Sequence, residues 1–139
     1  MGDLSAASKP VILVLEDEPD LLHIISTAVD RQLDGYEVVG VGSVRDASAR
    51  LDELEGSGRR LALAMVDHLL AGTRHDDAAT TGLGLLEQIR ARFPDASTIL
   101  FTGQASPQIE QRARAGGTRV LWKPLRLSVL LSEVADALA

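Results

Sequence analysis

The sequence lacks several features that would indicate particular classes of protein. Its 139 residues contain no cysteine, which excludes a disulfide-stapled secreted scaffold, a thiolate nucleophile and a cysteine-ligated metal. Aromatic residues make up only 3%, too few for a platform that stacks single-stranded bases. The longest apolar runs, at 11–15 and 61–66, are far shorter than the roughly 20 residues that span a membrane. The N-terminus also lacks the apolar stretch of a signal peptide, so we expect a cytoplasmic protein.

Charge and size limit the function further. The formal net charge of −6 argues against binding to the phosphates of nucleic acid or to anionic membranes, because both kinds of binding need a positive protein surface. The length fits one domain with a single core. Residues 1–9 are small and polar and show no periodicity, so we expect a disordered leader there and one domain over 10–139.

From Pro10 onward, short apolar runs alternate with segments of helical periodicity. The runs lie at 11–15, 36–41, 61–66, 98–101 and 119–122, and the helical segments at 21–33, 44–54, 83–93, 109–115 and 125–138. The runs do not alternate apolar with polar residues, which is typical of strands buried on both faces of a parallel sheet. The pattern therefore predicts an α/β domain of five strand–helix units.

Chemically useful side chains follow or end the predicted strands. Glu16, Asp17 and Glu18 follow the first strand, Asp67 follows the third, Thr102 ends the fourth, and Lys123 follows the fifth. In an open parallel sheet, sites form beyond the carboxyl ends of the strands. We therefore expect these side chains to meet at one edge of the sheet.

Such a group of residues favours phosphoryl chemistry. Two nearby carboxylates repel by roughly 4 kcal/mol at an effective dielectric constant of 20, so Glu16, Asp17 and Asp67 need a countercharge. Oxygen ligands without cysteine favour Mg²⁺, which leaves coordination positions open for a phosphoryl donor. Asp67 is then a candidate nucleophile that forms an aspartyl phosphate, and Lys123 supplies a second positive charge.

Each of these residues also has a simpler interpretation when it is taken alone. Acidic residues are common in the first turn of a helix, and Asp67 fits a helix cap or a loop. Thr102 fits a turn, and Lys123 fits an exposed lysine that leaves a strand. Their joint occurrence at four strand ends is what favours a functional site.

These segments resemble the receiver domain of two-component response regulators over residues 10–139. The resembling segments are VILVLEDEPDLL (acidic pair), LALAMVDHLLAG (phosphoacceptor), GLGLLEQIRARFP (third helix), ILFTG (switch strand) and VLWKP (lysine–proline motif). The resemblance implies a single doubly wound (βα)5 domain of the CheY-like superfamily. Its flavodoxin-like parallel sheet is expected to have the strand order 2-1-3-4-5.

The resemblance also implies roles for individual residues. Mg²⁺ would be held by Glu16, Asp17, Asp67 and the backbone carbonyl of Leu69, while Asp67 accepts the phosphoryl group, Thr102 contacts it and Lys123 pairs with it. The donor would be a phosphohistidine on a sensor histidine kinase or a histidine phosphotransfer protein, and the output a switch in the binding of a downstream protein. The implied role is signalling and not enzymatic, beyond assistance to the domain's own phosphorylation and dephosphorylation. Dimerisation is left open.

Several positions depart from the family pattern. Glu16 replaces the more frequent aspartate, and residues 68–81 resemble an insertion before the third helix. Val120 stands where the family often has an aromatic switch residue, which puts the usual coupling in doubt. We expect Trp122 to be a core or interface residue on the same strand face as Val120, and His68 to be a surface histidine.

A second hypothesis is a receiver-like module that binds a protein partner without being phosphorylated. The complete set of Glu16, Asp17, Asp67, Thr102 and Lys123 disfavours this hypothesis, because such a module would be expected to have lost one of them. The gain in mass after treatment with a phosphodonor separates the two classes.

Overall fold

Strands and helices alternate along the chain in the computed structural model, which describes residues 9–68, 81–103 and 105–139. The strands are β1 (Val11–Leu15), β2 (Glu37–Val41), β3 (Leu61–Val66), β4 (Ser97–Thr102) and β5 (Arg119–Trp122). The helices are α1 (Pro19–Gln32), α2 (Val44–Ser57), α3 (Gly82–Arg92), α4 (Pro107–Ala115) and α5 (Leu127–Leu138). Residues 1–8 of the expected leader, residues 69–80 of the expected insertion and Gln104 lie outside the described residues.

The five strands form one parallel sheet in the order β2-β1-β3-β4-β5, which confirms the predicted order. The last residue of β1, Leu15, pairs with Val41 of β2 and with Val66 of β3, the last residues of those strands. Thr102 at the end of β4 likewise pairs with Trp122 at the end of β5. The residues that follow β1 and β3 are therefore neighbours at the carboxyl edge of the sheet.

Helices cover both faces of the sheet, so alternate residues of each strand enter different hydrophobic clusters. One cluster joins the strands to α2, α3 and α4 and includes Leu13, Val66, Leu51, Leu86 and Ala113. The other joins them to α1 and α5 and includes Ile12, Met65, Ile25, Leu130 and Val134. β1 and β3 are buried along their whole length, which explains their continuous apolar sequences.

The ends of the helices follow local capping chemistry. α1 begins at Pro19, which needs no N–H partner in a first turn, and the side chain of Ser43 accepts from the N–H of Asp46 at the start of α2. α2 continues three residues beyond the predicted end at Leu54. It ends where Gly58 adopts a left-handed φ of 68°. Among the described residues, no helix combines the length and the apolar character needed to cross a membrane.

Candidate functional site

Backbone hydrogen bonds fix the residues that follow the strands. The N–H of Glu16 donates to the carbonyl of Val41 at 3.1 Å, and the N–H of Asp67 donates to the carbonyl of Leu15 at 3.1 Å. The N–H of Lys123 donates to the carbonyl of Thr102 at 2.9 Å. The ladder thus extends one residue beyond β1, β3 and β5, so the positions of these functional side chains are set by the sheet itself.

Lys123 connects two buried carboxylates. Its Nζ donates to Oε1 of Glu16 at 2.6 Å and to Oδ2 of Asp67 at 3.0 Å. The side chains of Glu16 and Asp67 are 3% and 7% exposed, against 25% for Lys123, so the ion pairs are shielded from most of the solvent. The Nζ also lies 5.0 Å from the centroid of the Phe101 ring, within range of a cation–π contact. The ammonium group is therefore held beside the Asp67 carboxylate.

Glu16 is the most enclosed carboxylate of the group. Burial raises the pKa of its carboxyl group, and the neighbouring Asp17 raises it further, against the lowering effect of hydrogen bonds from Lys123 and from the N–H of Glu18. Burial also lowers the pKa of the Lys123 ammonium, but the hydrogen bonds to Glu16 and Asp67 outweigh it and leave that pKa raised. Lys123 is therefore charged at neutral pH.

Three carboxylates come together in an arrangement suited to a divalent cation. One oxygen from each of Glu16, Asp17 and Asp67 lies within 4.8 Å of the others. Opposite ligands of Mg²⁺ are about 4 Å apart, so small side-chain movements bring all three oxygens into its coordination shell. A single ammonium beside three carboxylates leaves the cluster negative, which also favours a cation. The residues present therefore fit the predicted magnesium site, while Leu69, the fourth predicted ligand, lies outside the described residues.

Thr102 lies at the same edge as the acidic cluster. It is buried at the end of β4, and its carbonyl holds the backbone of Lys123 in place. Val120 is also buried, in the cluster that includes α2, α3 and α4. An aliphatic side chain therefore packs where the family often has an aromatic one.

The structure contradicts the expectation for His68 and narrows the expectation for Trp122. His68 is buried and not at the surface, because its carbonyl accepts from the N–H of Gly82 at 2.9 Å and the start of α3 covers it. Trp122, expected to be a core or an interface residue, is 39% exposed, which excludes the core and leaves the interface interpretation. It lies at the end of β5, which is an edge strand of the sheet formed by the described residues.

Sequence reasoning also missed Gly82, which packs against the backbone of Asp67. A signal is present in the sequence: Gly82 directly follows the capping residue Thr81. Glycine disfavours helices, and its presence in a first turn indicates a close approach between backbones.

Comparisons with known proteins agree with this architecture, although no family model matches the sequence. A receiver domain protein (CheY-like) from Methanospirillum hungatei JF-1 matches with a TM-score of 0.74 and 24% identity over 94% of each chain. A response regulator from Thermotoga maritima matches with a TM-score of 0.71 and 20% identity over 94% of this chain and 98% of its own.

A third similar structure shows a relevant chemical state in another protein. It is a response regulator from Burkholderia pseudomallei with a phosphorylated aspartic acid, a calcium ion and citrate. It matches with a TM-score of 0.68 and 23% identity over 91% of this chain and 71% of its own. From strand order, helix placement and these similarities, we conclude that the chain has the fold of the response regulator receiver domains.

Proposed function

We propose that this chain is a phosphoacceptor receiver domain of a two-component or phosphorelay system, with Asp67 as the acceptor. The observation that carries the proposal is the Lys123 ammonium, held between Glu16 and Asp67 at the edge of a receiver-type sheet. Asp17 adds a third carboxylate to the same cluster. A partly buried cation beside a nucleophilic carboxylate is the arrangement that phosphoryl transfer to an aspartate requires.

In the proposed reaction, an oxygen of the Asp67 carboxylate attacks the phosphorus of a phosphohistidine. The new O–P bond forms as the P–N bond breaks, and the electron pair of the broken bond returns to the imidazole nitrogen, which takes a proton from solvent. Asp67 loses no proton, because it reacts as the carboxylate. Lys123 is within hydrogen-bonding distance of that carboxylate, and its positive charge offsets the negative charge that the phosphoryl oxygens bring to the site.

Mg²⁺ is the proposed cofactor. Glu16, Asp17 and Asp67 would hold it, together with the backbone carbonyl of Leu69. When bound, it supplies positive charge beside the oxygens of the phosphoryl group. Glu16, which accepts a hydrogen bond from Lys123, would then serve as a ligand of the metal as well.

The proposed output is a change in partner affinity in the cytoplasm. Thr102 would contact the phosphoryl group on Asp67, and this contact would shift a pre-existing equilibrium at the surface formed by α4, β5 and α5. The donor would be a histidine kinase or a phosphotransfer protein, and the target a downstream protein or output domain. Assistance to its own phosphorylation and dephosphorylation is the only catalysis proposed for the chain.

The intact mass of the wild-type protein tests the proposal. After incubation with a small acyl phosphate or phosphoramidate in Mg²⁺, we expect a gain of one phosphoryl group, which is absent when a chelator replaces the metal. Repeated absence of any gain, with small donors and with phosphohistidine proteins, would overturn the proposal. That result would favour a module that binds its partner without phosphorylation.

A further inference from the structure

The first residue of α3 lies directly against the backbone of Asp67. A Cβ atom at Gly82 would overlap the carbonyl oxygen of Asp67 and would lie 2.6 Å from its carbonyl carbon. It would also lie 2.7 Å from the Cα of His68. All three neighbours are backbone atoms, so no side-chain rotation relieves the overlap. Any residue other than glycine at this position therefore moves either α3 or the end of β3.

The same contact is fixed by hydrogen bonds. The N–H of Gly82 donates to the carbonyl of His68 at 2.9 Å, which joins the residues on either side of segment 69–80. The hydroxyl of Thr81 accepts from the N–H of Gly84 at 3.1 Å and so caps the first turn of α3. Thr81, Gly82 and His68 are all buried. The amino end of α3 is thus seated against the two residues that follow β3.

The requirement for glycine at this position is steric and not conformational. Gly35, Gly58 and Gly117 are the described glycines with positive φ, and Gly82 is not among them. Alanine therefore has no backbone penalty at position 82 beyond the collision with Asp67. Gly42 is a glycine at which alanine should fit. A Cβ atom added there would make an ordinary contact of 3.9 Å with the carbonyl oxygen of Glu16.

We propose that Gly82 is a positioning residue for the phosphoacceptor: its missing side chain lets α3 hold the backbone of Asp67 in register with Lys123. This inference rests on the proposed role of Asp67. The Asp67 carboxylate lies 3.0 Å from Nζ of Lys123 and within 4.8 Å of the other two carboxylates, so a backbone shift alters both arrangements. Misplacement of a reacting group by about 1 Å costs about 100-fold in rate.

The test compares Gly82→Ala with Gly42→Ala in the full chain. We expect Gly82→Ala to lower the rate constant for phosphorylation by about 100-fold per folded molecule and to weaken Mg²⁺ binding measured by calorimetry. Gly42 lies beside the carbonyl of Glu16, another residue of the site. Gly42→Ala should leave the rate constant and the Mg²⁺ affinity close to the wild-type values. Wild-type values for folded Gly82→Ala would overturn the proposal, as would a loss that only matches the unfolded fraction.

Hydrogen exchange of the wild-type protein provides a readout that needs no variant and no phosphorylation. We expect the amide of Gly82 to exchange slowly, and Mg²⁺ to slow it further, because coupling between two sites is reciprocal. Exchange at the rate of an exposed amide, or no response to Mg²⁺, would contradict the proposal even if Gly82→Ala does not fold. If wild type gains no phosphoryl group, the proposed function fails, while Mg²⁺ affinity and exchange still decide the role of Gly82.

Discussion

Replacing Asp67 with asparagine should abolish phosphoryl uptake. The amide oxygen of asparagine carries no negative charge, so it is a far weaker nucleophile than the carboxylate, yet it still accepts a hydrogen bond from Lys123. The shape of the site is therefore kept while the reacting group is removed. Intact mass after treatment with a small phosphodonor in Mg²⁺ measures the effect, and we expect no phosphorylated species.

Asp20→Asn is the matched control for this change. Asp20 is exposed in the first turn of α1, close in sequence to the site but outside the carboxylate cluster. Asp20→Asn removes one negative charge, as Asp67→Asn does, and we expect its phosphoryl uptake to equal that of wild type. Wild-type uptake by Asp67→Asn would show that another residue is the acceptor.

The stability of Asp67→Asn distinguishes loss of the nucleophile from unfolding of the variant as the cause of lost phosphoryl uptake. Asp67 is one of three clustered carboxylates and shares the Lys123 ammonium with Glu16, so the change to asparagine relieves repulsion. Without Mg²⁺, we expect the free energy of unfolding in urea to be equal to wild type or higher. Mg²⁺ should stabilise wild type more than the variant, because the variant offers one anionic ligand fewer.

The second large effect is expected from Lys123→Met, which keeps an unbranched side chain one atom shorter and removes its charge. Removal of a group that stabilises developing charge costs about 100-fold to 1,000-fold in rate, and we expect a fall of that size in the rate constant for phosphorylation. Lys9→Met is the matched control, because Lys9 is exposed and is the only other lysine in the chain. Its rate should equal that of wild type.

Lys123→Met should raise the affinity for Mg²⁺ although it lowers the rate of phosphorylation. In wild type, the Lys123 ammonium pairs with Glu16 and Asp67. In the variant this cation is absent, so a metal ion that binds the two carboxylates has no ammonium to compete with. Calorimetry should therefore show tighter Mg²⁺ binding together with slower phosphorylation. Slower phosphorylation with weaker Mg²⁺ binding would indicate a distorted site and contradict this account of Lys123.

Much of the fold follows from hydrophobic patterning, because the strands are buried on both faces. The predicted bounds of β1, β3 and β5 agree with the structure residue for residue. The helix starts were less accurate: α4 begins at Pro107 and not at 109, because Ser106 caps the helix by accepting from the N–H of Ile109. Such capping contacts depend on geometry that hydrophobic periodicity does not report.

Part of the candidate site was likewise predictable from the sequence, and part of it required the structure. Glu16, Asp17, Asp67 and Lys123 were predictable as neighbours because they follow strands whose carboxyl ends share one edge. The burial of His68 and the contact between Gly82 and Asp67 depend on how α3 returns to the end of β3 after segment 69–80. Local sequence does not specify that return, so these features required the structure.

The identity of Asp67 as the phosphoacceptor is tested by locating the phosphoryl group on the phosphorylated wild-type protein. Borohydride reduces an acyl phosphate to the alcohol, which marks the modified carboxylate permanently for tandem mass spectrometry of peptides. We expect homoserine at position 67 in the sample with Mg²⁺, and aspartate there in the sample with chelator. A reduced residue at Asp17 or another carboxylate, or a phosphoryl group that survives borohydride on a hydroxyl or imidazole, would contradict it.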